Sequence, residues 1–145
     1  MDSIDRQILK LLEENSKQNT KEIAQKIGLT VSPTYERIKK LEESGVIKQY
    51  VAVLDYEKLG QKIMVYCQVS LTKHSKDLID NLIRAINSYD EVLVCQHVSG
   101  NYDFLLKVCV EDMNAYQKFI IEKLSIIEGI SNLQSSFVMS EVKKR

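Results

Sequence analysis

The chain has few of the residues that define specialised protein classes. Its 145 residues include no tryptophan, one proline, five glycines and three cysteines. So little proline and glycine excludes collagen-like and low-complexity sequences, and a hydrophobic fraction of 44% excludes intrinsic disorder. The longest apolar runs cover only a few residues, well short of the roughly 20 that cross a bilayer. We therefore expect a folded globular chain with no membrane partner.

The chain also has no net charge and no cysteine spacing that indicates paired cysteines. The 20 basic and 20 acidic residues cancel, so any attraction to nucleic acid has to come from a local patch. Cys67, Cys95 and Cys109 are an odd number without a CxxC spacing, which argues against a secreted disulfide framework. Residues 1–6 lack the apolar core of a signal peptide. We expect a cytoplasmic protein.

A change of periodicity between residues 45 and 60 predicts an α+β chain with two folded units. Residues 1–45 have helical spacing. They predict one helix ending near Asn15, a second that Thr20 caps and Gly28 ends, and a third from about residues 30–32 to Ser44. Residues 46–61 are predicted as connecting strands. Residues 62–145 are predicted as the second domain.

The second domain follows the order strand, helix, strand, strand, helix, strand. The predicted elements are strand 63–71, helix 78–86, strands 92–98 and 103–110, a helix over 113–124, and strand 132–142. This βαββαβ order is the ferredoxin-like arrangement, with both helices on one face of the sheet. The other face carries large residues such as Met64 and Tyr66, which predicts burial against another copy of the chain.

The segment from Glu22 to Leu41 has helix-turn-helix spacing, with Gly28 at the turn. On a helical wheel the third helix turns Val31, Thr34, Ile38 and Leu41 inward. It then presents hydroxyl, acidic and basic side chains outward, the mixture that suits a DNA major groove. The candidate DNA contacts are Thr30, Ser32, Tyr35, Glu36, Arg37, Lys39 and Lys40.

Local charge favours the same interpretation. Residues 15–48 contain seven basic and four acidic residues, which leaves a net charge of +3 within a neutral chain. Spacing alone leaves a second interpretation open, in which these helices form an ordinary three-helix bundle with a solvated face.

An ordered set of motifs resembles the signature of the Lrp/AsnC, or feast/famine, transcription regulators. It runs through Asp5-Arg6-Gln7-Ile8-Leu9, Ile23-Ala24, Gly28-Leu29-Thr30, Arg37-Ile38, Leu41-Glu42 and Gly45-Val46-Ile47. It continues with Leu59-Gly60, Gly100-Asn101-Tyr102-Asp103 and Val142-Lys143. The resemblance covers essentially the whole chain. It implies a sequence-specific DNA-binding regulator, not an enzyme, that has no cofactor and responds to an amino acid or related metabolite.

The resemblance also implies an assembly and an effector site. Dimers would form through residues 46–54 and the open sheet face, and would associate into octamers or other multiples of dimers. The motif maps the effector site onto Gly100, Asn101, Tyr102 and Asp103, with Ser135 or Ser136 on the last strand. The family's loop usually has Asp where Asn101 stands, and often Ser where Thr30 stands, although a threonine also suits a helix N-cap. A plain hairpin turn is the alternative interpretation of residues 100–103.

Other functions find less support in the sequence. Cys95 and His97 share a strand face, but no second pair has metal-ligand spacing and His74 stands alone in a loop, so we expect no metal. RNA binding would need paired aromatics in a basic setting, which Tyr66, Phe104 and Phe137 lack. The alternative to a DNA-binding regulator is a ligand-sensing ferredoxin-like domain, with or without enzymatic activity, whose N-terminal helices bind proteins.

Overall fold

A computed structural model describes residues 1–142, and the motif residue Lys143 lies outside them. The chain forms two compact units, which divide after Val53. The predicted boundaries after residues 45 and 61 stay predictions.

The first unit contains three helices, α1 (Ser3–Glu14), α2 (Thr20–Ile27) and α3 (Val31–Glu43). At the start of α1 and of α2, the N-cap side chain accepts from the backbone N–H three residues later, and the side chain of that later residue accepts from the N-cap N–H. In α1 the pair is Asp2 and Asp5. In α2 it is Asn19 and Glu22, so the expectation that Thr20 caps this helix is wrong by one residue.

Ile8, Ile23 and Leu41 form the buried core of this unit, one from each helix. Thr34 is also fully buried, and its hydroxyl donates to the Thr30 carbonyl oxygen over 2.9 Å. The expectation that Val31 faces inward is wrong, because its side chain is 46% exposed. Val31 is the first residue of α3, one turn before the first buried residue of the helix, Thr34.

The predicted connecting strands in residues 46–61 do not form within the described chain. These residues are turns and irregular backbone, and the side chains of Val46, Tyr50, Val51, Val53 and Leu54 are exposed. An isolated extended segment leaves its backbone groups unpaired, so a strand here requires a neighbouring strand that a single chain does not supply.

The second unit contains β1 (Ile63–Leu71), α4 (Lys76–Asn87), β2 (Val92–His97), β3 (Phe104–Val110), α5 (Met113–Lys118) and β4 (Ile130–Phe137). The strands form one sheet in the order β2-β3-β1-β4, and every neighbouring pair is antiparallel. This confirms the predicted ferredoxin-like topology. The last strand begins two residues earlier than predicted and ends at Phe137, well before residue 142.

The core of the second unit lies between the helices and one sheet face. Val65, Cys67 and Val69 of β1 are fully buried there, as the alternation in the sequence predicts. Leu82 of α4 and Phe119 cover them from the helical side.

The helix after β3 is not regular. α5 continues directly into a π-helical segment, Phe119–Leu124, where the sequence pattern predicts a regular helix. A continuous α-helix would bring Lys123, seven residues after the buried Tyr116, onto the core face. The wide π turn accommodates one extra residue, so the residue that faces the core lies one position later in the sequence. Leu124 is therefore buried and Lys123 instead donates to both carboxylate oxygens of Glu91, at 2.6 and 2.9 Å.

Candidate DNA-binding helix and effector turn

The turn between α2 and α3 has the geometry that a helix-turn-helix requires. Gly28 ends α2 in the left-handed conformation, with φ 71°, which a residue with a Cβ adopts at a cost. The Leu29 N–H donates to the Ala24 carbonyl oxygen over 3.0 Å, and the small Ala24 is itself buried. The chain therefore reverses within Leu29 and Thr30, and α3 begins immediately afterwards.

The outer face of α3 carries polar side chains, as the helical wheel predicts. Ser32, Glu36, Lys39 and Lys40 are exposed, and Tyr35 is 53% exposed. Lys39 forms an ion pair with Glu43, one turn further on, over 3.8 Å. An exposed pair of this kind contributes little to stability and leaves the lysine available for a phosphate.

Thr30 stands at the N-cap of α3, with extended backbone angles, but its side chain makes no capping hydrogen bond. The expectation that this threonine caps the helix in the usual way is therefore wrong. The Thr30 carbonyl oxygen holds the helix start instead, because it accepts from both the Thr34 N–H and the Thr34 hydroxyl.

Arg37 differs from the other candidate DNA contacts. Its Nη1 atom lies 2.7 Å from Asp2 Oδ2 and 2.7 Å from Asp5 Oδ1, and its side chain is only 31% exposed. The hydrogen bonds that Arg37 donates to both carboxylates raise the pKa of its guanidinium. The structure therefore directs this side chain toward the start of α1.

The turn between β2 and β3 contains the candidate effector residues. Gly100 has a φ of 130°, Asn101 is exposed and Tyr102 is half-buried. Asp103, the next residue, is fixed by backbone hydrogen bonds: its N–H donates to Val69 O and its carbonyl oxygen accepts from the Val98 N–H, both at 2.9 Å.

The carboxylate of Asp103 already has two partners. Its Oδ2 atom accepts from the Leu71 N–H over 2.7 Å, and its Oδ1 atom lies 2.6 Å from His74 Nε2. The Leu71 N–H and then His74 hold the pKa of the Asp103 carboxyl below its ordinary value. The ionised carboxylate therefore both ties the turn to the end of β1 and meets the loop that follows it.

The sequence pattern leaves His74 alone in a loop, but the structure places it against Asp103. The register of β1 against β3 pairs Val69 with Phe104, so the end of β1 necessarily adjoins residue 103. The order of strands in the sheet therefore predicts that the end of β1 and Asp103 are neighbours. The ion pair itself depends on the loop conformation, which no sequence periodicity reports.

Ser135 and Ser136 lie on opposite faces of β4, and neither lies beside the turn in this chain. Ser135 faces the helices, where its hydroxyl forms a hydrogen bond with the Tyr116 hydroxyl. Ser136 faces outward opposite Tyr66. Ser135 pairs with Cys67, four residues before Leu71 on β1, which corresponds to roughly 13 Å along the strand.

The sheet face opposite the helices is partly apolar and open in the single chain. Tyr66 and Val94 on this face are 39% and 43% exposed. The strand registers place the following residues on it: Met64, Tyr66, Gln68, Ser70, Val94, Gln96, Leu105, Lys107, Gln134 and Ser136.

Cys95 and His97 do share one strand face, but His97 stacks on the Phe104 ring, with centroids 4.6 Å apart. Within residues 1–142, no cluster of three or more histidine, cysteine, aspartate or glutamate side chains has the arrangement to hold a metal ion. No helix within residues 1–142 is long and apolar enough to span a membrane.

Comparison with protein-family models assigns both units. Residues 1–48 match a model described as winged helix-turn-helix DNA-binding, and residues 64–145 match the Lrp/AsnC ligand binding domain. The chain belongs to the Lrp/AsnC family. Members of this family are transcriptional regulators that combine a DNA-binding helix-turn-helix with an amino-acid-binding domain, and this chain has both parts.

Individual Lrp/AsnC proteins are similar over nearly the whole chain. The leucine-responsive regulatory protein of Escherichia coli is 33% identical over 144 residues, which cover 99% of this chain and 88% of that protein. A transcriptional regulator of Neisseria meningitidis in complex with L-Met has a TM-score of 0.95 and 33% identity, over 99% of this chain and 93% of that chain. An AsnC family regulator from Agrobacterium tumefaciens has a TM-score of 0.92 and 35% identity, with coverages of 99% and 94%.

Proposed function

We propose that this Lrp/AsnC regulator reads duplex DNA with the outer face of α3. The observation that carries this proposal is the exposed polar face that follows directly on the left-handed turn at Gly28. Lys39 and Lys40 would contact phosphates, whereas Ser32, Tyr35 and Glu36 would meet base edges. Thr30 would present its hydroxyl and the helix N-terminus to the phosphate backbone.

Fluorescence anisotropy with duplex DNA from upstream of the protein's own coding region tests this proposal. We expect tight binding with a steep dependence on salt, and a slope of log K against log salt that falls by about 2 when Lys39 and Lys40 are both changed to Ala. The matched control is Lys10→Ala with Lys17→Ala, which removes the same charge from exposed positions elsewhere in the same unit. An equal fall in both double variants would overturn the assignment to α3.

The effector would be an amino acid held at the turn of Gly100, Asn101, Tyr102 and Asp103, with Ser135 or Ser136 contributed by another region of the assembly. Two observations support it: the match to the Lrp/AsnC ligand binding domain and the L-Met complex of the Neisseria regulator. Backbone N–H groups of the turn would bind the carboxylate, and Asp103 would attract the ammonium. Isothermal titration of the full chain with each of the common amino acids tests this; heat from none of them would contradict it.

The functional unit would be a homodimer or a multiple of dimers in the cytoplasm. The open sheet face and the exposed apolar residues 46–54 support this proposal. A second copy of the chain would cover the sheet face and would supply a strand partner for residues 46–54. The effector would then act by favouring one assembly over another, to the extent that it binds them with different affinities. Light scattering after gel filtration of Tyr66→Lys tests the interface, since a lysine there should reduce the mass to that of the monomer. An unchanged mass would exclude this face from the interface.

A further inference from the structure

The start of α1 holds a closed set of hydrogen bonds that reaches across to α3. Asp2 Oδ1 accepts from the Asp5 N–H and Asp5 Oδ2 accepts from the Asp2 N–H, both at 2.9 Å. Each carboxylate therefore has one oxygen left over. Those two oxygens, Asp2 Oδ2 and Asp5 Oδ1, both accept from the single Nη1 atom of Arg37 at 2.7 Å.

The position of Arg37 on α3 allows this contact to restrain the rotation of the helix. Arg37 follows the buried Thr34 by three residues and precedes the buried Leu41 by four, so it adjoins the buried side of the helix. The lysines proposed to meet DNA, Lys39 and Lys40, lie on the exposed side. A bond at the boundary of the two sides opposes rotation of α3 about its own axis.

Charge indicates the same role. The guanidinium faces two carboxylates, so the three groups together have a net charge of −1. Backbone hydrogen bonds and the Arg37 side chain hold the pKa values of both Asp2 and Asp5 below the ordinary value, so both are ionised at neutral pH. A cation neutralised in this way adds little to the attraction for phosphate.

We propose that Arg37 is a positioning residue for DNA recognition: it ties the reading helix to the N-cap of α1 and sets its rotation, and it makes no phosphate contact. This proposal rests on the assignment of α3 as the reading helix. It differs from the expectation that Arg37 belongs to the DNA-contacting set.

One substitution should change the DNA affinity in opposite directions under the two explanations, positioning and simple electrostatics. Asp5→Asn removes a negative charge from the DNA-binding unit, which by charge alone should strengthen binding. If Arg37 positions α3, the same change weakens binding, and we expect a loss of roughly tenfold, about 1.4 kcal/mol. Glu43→Gln is the matched control, because it removes an exposed carboxylate from α3 itself; its affinity should be unchanged or higher.

The salt dependence gives a second readout that a general loss of stability does not change. Lys40→Gln should lower the slope of log K against log salt by about 0.9, the value for one lost phosphate contact. Arg37→Gln should weaken binding while the slope stays at the wild-type value. Arg37→Lys, which keeps the charge but not the planar fork, should recover part of the affinity. Circular dichroism at the assay temperature would show that each variant is folded.

The possible outcomes are distinct. A fall of the slope in Arg37→Gln equal to that in Lys40→Gln would make Arg37 a phosphate contact and overturn the proposal. Tighter binding by Asp5→Asn would do the same. If Asp5→Asn is unfolded, Arg37→Lys decides the matter, since it leaves the α1 capping pair intact: full wild-type affinity would reject the proposal. An unchanged slope in Lys40→Gln would instead contradict the assignment of α3, and absence of binding by the unmodified chain would overturn both.

Discussion

His74 Nε2 lies 2.6 Å from Asp103 Oδ1, so the loop after β1 and the turn before β3 are joined by one side-chain pair. The other oxygen of the same carboxylate accepts from the Leu71 N–H. An amino-acid ammonium that approaches Asp103 at Oδ1 has to displace or share the place of His74. The histidine would therefore be part of the environment of an effector bound at the proposed site.

The stability of the second unit should depend on the charge of Asp103. The pKa of this carboxyl is lowered in the folded chain, so its contribution is present above the unfolded value of about 3.9 and is lost as the pH falls through the folded value. We expect Asp103→Asn to cost about 1–2 kcal/mol at pH 7, with the difference from wild type shrinking below about pH 4. Thermal denaturation across pH measures this. Asp80→Asn, at an exposed site on α4, is the matched control.

Gly100 should control the shape of the effector turn without affecting DNA binding directly. Its φ of 130° is one that residues with a side chain rarely adopt, although the space around it is open. Gly100→Ala is therefore expected to weaken amino-acid binding by roughly tenfold or more through backbone strain of about 1–3 kcal/mol. DNA affinity without amino acid should be unchanged. Titration calorimetry and anisotropy on the same preparation test both statements, and full effector affinity would show that the turn is not the site.

The hydrogen bond between Tyr116 and Ser135 should contribute measurably to the stability of the second unit. Burial raises the pKa of Tyr116 to about 12, so its hydroxyl keeps its proton at every ordinary pH. Tyr116→Phe and Ser135→Ala should each cost about 1 kcal/mol in urea denaturation. The double variant should cost clearly less than the sum, because each single change already breaks the bond. Strict additivity would mean that the two hydroxyls do not interact.

Two neighbouring residues on α4 should differ sharply in their effect. Leu82 is fully buried against the sheet, whereas Ile83 is 41% exposed. Leu82→Ala should lower the free energy of unfolding by about 2–5 kcal/mol, and Ile83→Ala by much less, because little cavity forms at the surface. Denaturant titrations of the two variants are a direct comparison; equal losses would place Ile83 inside an interface in solution.

The sequence predicts the parts of this fold that depend on periodicity. The bounds of β1 are those predicted, because alternate residues from Ile63 to Leu71 enter one core. The exposed face of α3 also follows from its wheel. Val31 differs because a wheel gives an angle but not the depth at which a helix end lies.

Side-chain pairs between distant segments lay beyond sequence reasoning. Arg37 with Asp2 and Asp5, and His74 with Asp103, join residues 29 to 35 positions apart. Each pair depends on a backbone path that composition does not specify. The π turn has no signal in the sequence, because the apolar residues Phe119, Ile120 and Leu124 also fit the spacing of a regular α-helix.

That π turn makes the segment Phe119–Leu124 behave like a one-residue insertion that the helix has absorbed. Deleting the exposed Glu122 would restore a regular α-helix and bring the leucine of position 124 to the same side of the core. α4 is a regular α-helix without a π turn, so a deletion there would rotate every later residue of the helix away from its position on the sheet. The π turn is therefore a place in the described helices of the second unit where the chain can lose a residue while the residues beyond it keep their orientation toward the core.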